Sequence, residues 1–293
     1  MKKLGLVLEG GGVRGAYTAG ALAWLTDHDL MVDYGVGISS GAVYLCGYFM
    51  KNKDASYRMA TDYAADKNNV GIRALIKEKH YVALNYLFDG DLLEKEKFDI
   101  QPLIDANPDM EIGAYDLNQG KTIWFRSKDL DPGLKIVRGA CALPVASETV
   151  CYKDYRLVDG GITKLIPIER AVEQECTNYL VITTKPKEYV RKPSAPAVRW
   201  LMKVVYKDCP QIEKDYEVRH LRYYEQLDLV NDLVEQKKAV HVRPSQNIPV
   251  NRWKGDKENC EKLYWLGYQD MEDCKEEIIQ LFTGESDDKT NHE

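Results

Sequence analysis

The residues best suited to chemistry in this chain are a serine, an aspartate and a glycine loop. Gly37-Ile38-Ser39-Ser40-Gly41 sets Ser39 between glycines two positions to either side. In the pattern G-x-S-x-G, a turn from strand to helix lifts the hydroxyl clear, and the helix dipole eases alkoxide-like charge. The plainer alternative is a serine N-cap between two packing glycines. Gly10, Gly12 and Gly15 satisfy G-x-G-x-x-G. Bare backbone N–H groups beside a helix N-terminus stabilise a phosphate or the oxyanion of a tetrahedral acyl intermediate. A dinucleotide site needs an acidic residue about twenty positions further on, at the end of the second strand. That strand ends here in Ile38-Ser39-Ser40, so an oxidoreductase is disfavoured. Asp159-Gly160-Gly161 reads either as a hairpin turn or as a base at a strand end.

A nucleophilic serine needs a base. The usual hydrolase order is serine, acid, histidine. The five histidines are His28, His80, His220, His241 and His292. Only His241 suits a triad by order and setting, and a packed strand histidine is the better reading of it. Several strands precede the serine turn of an α/β-hydrolase, whereas Ser39 follows the second strand.

The elements that must hold these residues follow from apolar runs and breakers. Lys3 to Leu8 predicts a buried strand, Ala16 to Asp27 a helix, Val32 to Ile38 a second strand and Ser40 to Lys51 a second helix. Such a β-α-β-α start predicts a parallel sheet with helices on its faces. Residues 53–98 are charged and mostly helical in pattern, as a surface subdomain or lid would be. Met110–Tyr115 and Lys121–Arg126 predict strands around an Asn118-Gln119-Gly120 turn. Leu134 to Leu143 reads as a helix, Tyr155 to Val158 as a short strand leading to Asp159, Ile168 to Glu175 as a helix and Tyr179 to Thr184 as a buried strand. KPKEYVRKPSAP, starting at Lys185, reads as a linker, followed by helices near 198–207, 212–236 and 257–282 and an added strand at Ala239–Val242.

Together, Gly10-Gly11-Gly12-Val13-Arg14-Gly15, Gly37-Ile38-Ser39-Ser40-Gly41 and Asp159-Gly160-Gly161 resemble the three signatures of patatin-like phospholipases, in the family's order. RGACALPVAS, residues 138–147, resembles the family's segment between serine and aspartate. The resemblance spans roughly residues 4–185. It implies a three-layer α/β/α fold with a mainly parallel central sheet, and a Ser–Asp dyad without histidine. Ser39 would be the nucleophile and Asp159 the general base. Gly11, Gly12 and the Arg14 N–H would form the oxyanion hole. The implied activity is lipid acyl-ester hydrolysis of phospholipase A or lysophospholipase type, with no cofactor and no metal. A non-catalytic lipid-binding or regulatory protein of the same fold is the alternative. Glu9 stands where many members carry aspartate, with little effect expected. The later segments VITTKPKEYVRKP and EKLYWLGYQD resemble a bacterial subgroup with a helical extension. The expected organisation is thus a catalytic domain over 1–185, a mainly helical extension over 186–283 and a disordered tail over 284–293.

Composition sets the remaining bounds. A net charge of −6 and a pI near 5.6 argue against nucleic acid as a partner. Seven scattered cysteines with no C-x-x-C favour reduced thiols and a cytoplasmic setting. The apolar run after Met1-Lys2-Lys3 stops at Glu9, short of the roughly 7–15 residues of a secretory core. Ala197 to Lys207 is basic and amphipathic, which suits either transient contact with a membrane surface or packing on the main domain. No calcium-loop pattern is present.

Overall fold

A computed structural model of the chain describes residues 2–66, 68–250 and 256–284. The tail expected to be disordered, and His292 within it, lie outside these residues apart from Gly284. Eight strands form one sheet: β1 Leu4–Leu8, β2 Tyr34–Ile38, β3 Met110–Asp116, β4 Lys121–Arg126, β5 Val150–Tyr152, β6 Tyr155–Asp159, β7 Asn178–Ile182 and β8 Ala239–Val242. Five of them, in the order β3-β2-β1-β7-β8, run parallel. β1 and β2 are buried along their whole length, as expected of strands covered on both faces. Helices α1 Gly15–Asp27, α2 Ser40–Phe49, α3 Lys53–Arg58, α4 Ile72–Glu78, α5 Gln101–Ala106, α6 Lys135–Ala140 and α7 Ile168–Glu173 belong to the first two-thirds of the chain. α8 Pro196–Val205, α9 Gln211–Glu235, α10 Lys257–Asp273 and α11 Lys275–Thr283 follow. One apolar core lies on the α1/α2 side of the sheet and a second on the α7/α9 side, which gives three layers, α/β/α.

The last third of the chain is woven into the first. β8 adds a parallel strand beside β7. α10 crosses α1 at two glycines: a Cβ on Gly20 would overlap the Tyr264 carbonyl oxygen, and one on Gly267 would overlap that of Tyr17. Side chains fasten the crossing, with Tyr17 Oη donating to Asp270 (2.8 Å) and Trp24 Nε1 to Glu272 (2.6 Å). The helix expected over 257–282 breaks at Cys274, beyond which α11 turns toward β7 and β8.

β3 is the key to the site. β4 pairs along one of its edges from Glu111 to Asp116. A strand has two edges, so β2 and β6 must share the other. β2 runs parallel and ends with Ile38 opposite Gly113. β6 runs antiparallel and ends with Asp159 opposite Ala114. The two strands therefore meet end to end at adjacent residues of β3. The sequence predicts both residues at strand ends of one parallel sheet; in the structure, β6 arrives from the opposite direction.

Candidate active site

Ser39 follows β2 immediately and has φ 54° and ψ −127°. A non-glycine residue there carries strain on the order of 1–3 kcal/mol. Packing enforces it. A Cβ on Gly37 would lie 2.7 Å from the Gly41 carbonyl oxygen, and one on Gly41 would lie 2.8 Å from that of Leu8. Those glycines let the turn press against β1. The Ser39 side chain caps no backbone N–H of α2, contrary to the N-cap alternative.

Asp159 ends β6 and is buried. Its Oδ1 accepts the Gly161 N–H at 2.7 Å, which fixes the carboxyl group. A Cβ on Gly160 would sit 2.6 Å from the Gly113 carbonyl oxygen, so only glycine lets β6 come this close to β3. Ser39 and Asp159 line one cleft of about 880 Å³, together with Gly10, Gly11, Gly12, Arg14 and Gly161.

The glycine loop passes over the serine turn. A Cβ on Gly10 would lie 2.9 Å from Ser39 Cβ. Gly11 N–H donates to Ser40 Oγ at 2.9 Å, and Arg14 N–H to the Gly11 carbonyl at 3.2 Å. Two of the three expected oxyanion donors are thus engaged in this conformation. Gly12 N–H has no acceptor among the described residues. Ser40, which the sequence presented only as motif filler, ties the loop to the turn. Gly15 leaves room for it, since a Cβ there would lie 2.7 Å from Ser40 Oγ.

Beneath the loop sits a buried ion pair that sequence reading missed. Glu9, wholly buried, accepts Lys185 Nζ at 3.0 Å and the Thr184 N–H at 2.6 Å. Burial alone would raise the Glu9 carboxyl; Lys185, the Thr184 N–H and Arg191 outweigh it and hold the pKa below its ordinary value. Burial pulls the Lys185 ammonium down to about 8, against the attraction of Glu9. The stretch read as a linker is instead a wall of the cleft, to which Lys185, Tyr189, Arg191 and Pro193 contribute. Its four basic residues were the visible signal, masked by three prolines that suggested a spacer.

No histidine lines the cleft among the described residues. His241 lies on β8, opposite Val181 and three strands from β2, with Nε2 2.9 Å from Thr183 Oγ1. Burial, helped by Arg243, lowers its pKa to about 4. His241→Gln is expected to leave ester turnover unchanged. Its effect belongs to stability. The unfolded chain takes up a proton near the ordinary 6.5 that the folded state resists. Wild type therefore loses stability as pH falls from 6.5 toward 4, and the variant should lose that part of the slope in thermal melts across this window.

A second, smaller cavity of about 90 Å³ reaches Ser39 from the α2 side. Its walls are mainly apolar, with Val43, Tyr44, Met59, Leu84, Leu87 and Phe88. No group of His, Cys, Asp and Glu suited to a metal occurs among the described residues. No described helix is long and apolar enough to cross a membrane. All seven cysteines are unpaired.

A family model described as patatin-like phospholipase matches residues 6–172. A second, described as a domain of unknown function (DUF6363), matches residues 209–283. The chain is 25% identical over 227 residues to the uncharacterized protein YjjU of Escherichia coli (strain K12), across 68% of this chain and 57% of that protein. It thus spans little more than half the length of this curated relative. Two solved structures are similar at 11% identity. VipD from Legionella pneumophila has a TM-score of 0.45, over 97% of this chain and 67% of that one. The ExoU-SpcU complex of Pseudomonas aeruginosa has 0.35, over 96% and 52%.

Proposed function

The chain belongs to the patatin-like phospholipase family, and from that membership we propose that it is a lipid acyl-ester hydrolase working through a Ser39–Asp159 dyad. The substrate class we propose is that of a phospholipase A or lysophospholipase. The observation that carries this reading is the end-to-end meeting of β2 and β6 on β3, which brings a strained serine and a buried aspartate to one cleft. Asp159 takes the Ser39 hydroxyl proton as Oγ attacks the ester carbonyl carbon. The oxyanion forms against the glycine loop. Gly12 N–H is the ready donor, and Gly11 N–H joins if the Ser40 hydroxyl turns away. Collapse breaks the ester bond, and the leaving alkoxide takes the proton from Asp159. Asp159 then deprotonates a water that attacks the acyl-enzyme, which releases the fatty acid and restores Ser39.

The two cavities divide the substrate. The apolar one suits the acyl chain and the large polar one suits the alcohol side. Leu87→Trp should place an indole in the apolar pocket. It is expected to lower kcat/KM about tenfold for hexanoyl and longer p-nitrophenyl esters relative to the acetyl ester. Equal rates across the series would remove the pocket from the proposal. In the same reading, residues 1–185 are the catalytic domain and 186–283 the extension that completes the sheet and the cleft wall. α8, whose Val198 lines the cleft, turns Met202 inward and leaves Trp200, Val204 and Val205 exposed, which supports transient contact with a membrane surface. The overall test is turnover of a phospholipid, lysophospholipid and p-nitrophenyl ester panel by wild type and by Ser39 and Asp159 variants.

A further inference from the structure

The cleft has a charge opposite to that of the chain. Against a net charge of −6, its lining includes Arg14, Lys185, Arg191, Lys192 and Arg219, with Asp159 as the carboxylate among them. Lys185 is spent on Glu9. The other four cations have no carboxylate within salt-bridge distance among the described residues, although elsewhere the chain pairs its surface arginines freely, as in Arg58–Glu96 and Arg199–Glu217.

Arg191 and Arg219 are the pair of interest. Arg191 is half-buried and stacked on Tyr223 with its guanidinium 4.5 Å from the ring centroid. Its Nε is buried without a hydrogen-bond partner. Its backbone is pinned at both ends, the N–H donating to Tyr224 Oη and the carbonyl accepting from it. Arg219, on α9, donates Nε to the Gly161 carbonyl at 2.5 Å and stacks on Tyr216. Burial lowers the Arg191 pKa, and the charge of Arg219 lowers it further. Two guanidiniums that line one cleft and repel each other are relieved by an anion between them, and the fork geometry of each suits a phosphate oxygen pair.

We propose that Arg191 and Arg219, from residues beyond the patatin match, form an anion site in the cleft that takes a phosphate group, either the phosphodiester of a lipid headgroup or free phosphate. Its position follows from the fold: Arg219 touches Gly161, two residues from Asp159, so a phosphate bound there lies on the alcohol side of an ester at Ser39. This placement rests on the hydrolase reading; the anion site itself does not.

The test measures binding in a protein that cannot turn over, by titration calorimetry on Ser39→Ala. The probes are monomeric dihexanoyl phosphatidylglycerol, dihexanoyl phosphatidylcholine, uncharged dihexanoylglycerol and inorganic phosphate. Both phospholipids are expected to bind at least about tenfold more tightly than dihexanoylglycerol. Adding Arg191→Gln should erase the difference, while Arg191→Lys keeps part of it. Phosphate that competes only weakly identifies the headgroup as the ligand; phosphate that binds more tightly than either lipid identifies the free ion. Raising salt from about 50 to about 300 mM should weaken phospholipid binding in Ser39→Ala alone, so an unfolded Arg191 variant leaves the question answerable. Equal affinity for charged and uncharged lipid, or binding indifferent to salt, overturns the proposal. If phospholipid binds as expected while wild type hydrolyses no ester, the hydrolase reading fails and the anion site stands.

Discussion

Ser39→Ala is expected to lower ester turnover at least about a thousandfold while circular dichroism and melting stay near wild type. The hydroxyl is the attacking atom: the cleft's other serine, Ser194, donates its hydroxyl to the Tyr216 carbonyl, and Cys141 opens on the smaller cavity, where burial raises its thiol well above the ordinary range. Asp159→Asn should cost about 10²–10⁴-fold, the usual reach of general-base catalysis. Stability tells the strained nucleophile apart from a mere capping serine. Ser39→Gly removes a backbone strain on the order of 1–3 kcal/mol and should raise Tm by about 2–4 °C per kcal/mol. Loss of an N-cap would instead lower it. A Ser39→Ala enzyme that retains turnover, or a Ser39→Gly protein that melts lower, contradicts the dyad.

The largest expected effect on stability lies far from the chemistry. Gly267→Leu should unfold the protein or lower its stability by more than about 3 kcal/mol, well beyond the usual range for a single change. The cause is steric. Even a Cβ at position 267 overlaps the Tyr17 carbonyl oxygen, so α10 must be pushed away from α1 or one of the helices must bend. Gly267→Ala should cost about 1–3 kcal/mol, the ordinary range for overpacking. The damage should reach the site as well, because α1 begins at Gly15, the last glycine of the loop. Denaturant melts of both variants and the ester assay measure the two effects together. A Gly267→Leu protein as stable as wild type would mean that the helices do not cross at these glycines.

What was legible in the sequence was local. β1, β2, the turns after them and the strand into Asp159 follow from apolar runs bounded by glycine, and the structure places them within one or two residues. The non-local features were hidden. Nothing near Asp159 says that β6 comes to β3 from the opposite direction, because the pairing is made with Ala114 to Asp116, far back in the chain. Lys185 and Arg191 sit among prolines that imitate a spacer, yet Glu9 and Tyr223 give them partners distant in sequence. The break at Cys274 carries no glycine or proline. It is set by Asp270 and Glu272, which hold the end of α10 to Tyr17 and Trp24 while α11 departs.

The edge strand β8 also governs how the molecule can be synthesised. A ribosome delivers β1 through β7 well before Ala239–Val242 appears, and during that interval β7 presents an unpaired parallel edge, while the small-residue flank of α1 waits for α10. An open edge of buried, β-branched residues is a template for pairing with another chain. Contacts such as Leu4 with Asn178 and Tyr17 with Asp270 must close across most of the polypeptide, which slows folding. The last third is therefore the cover that closes this edge and this helix flank once it has been made.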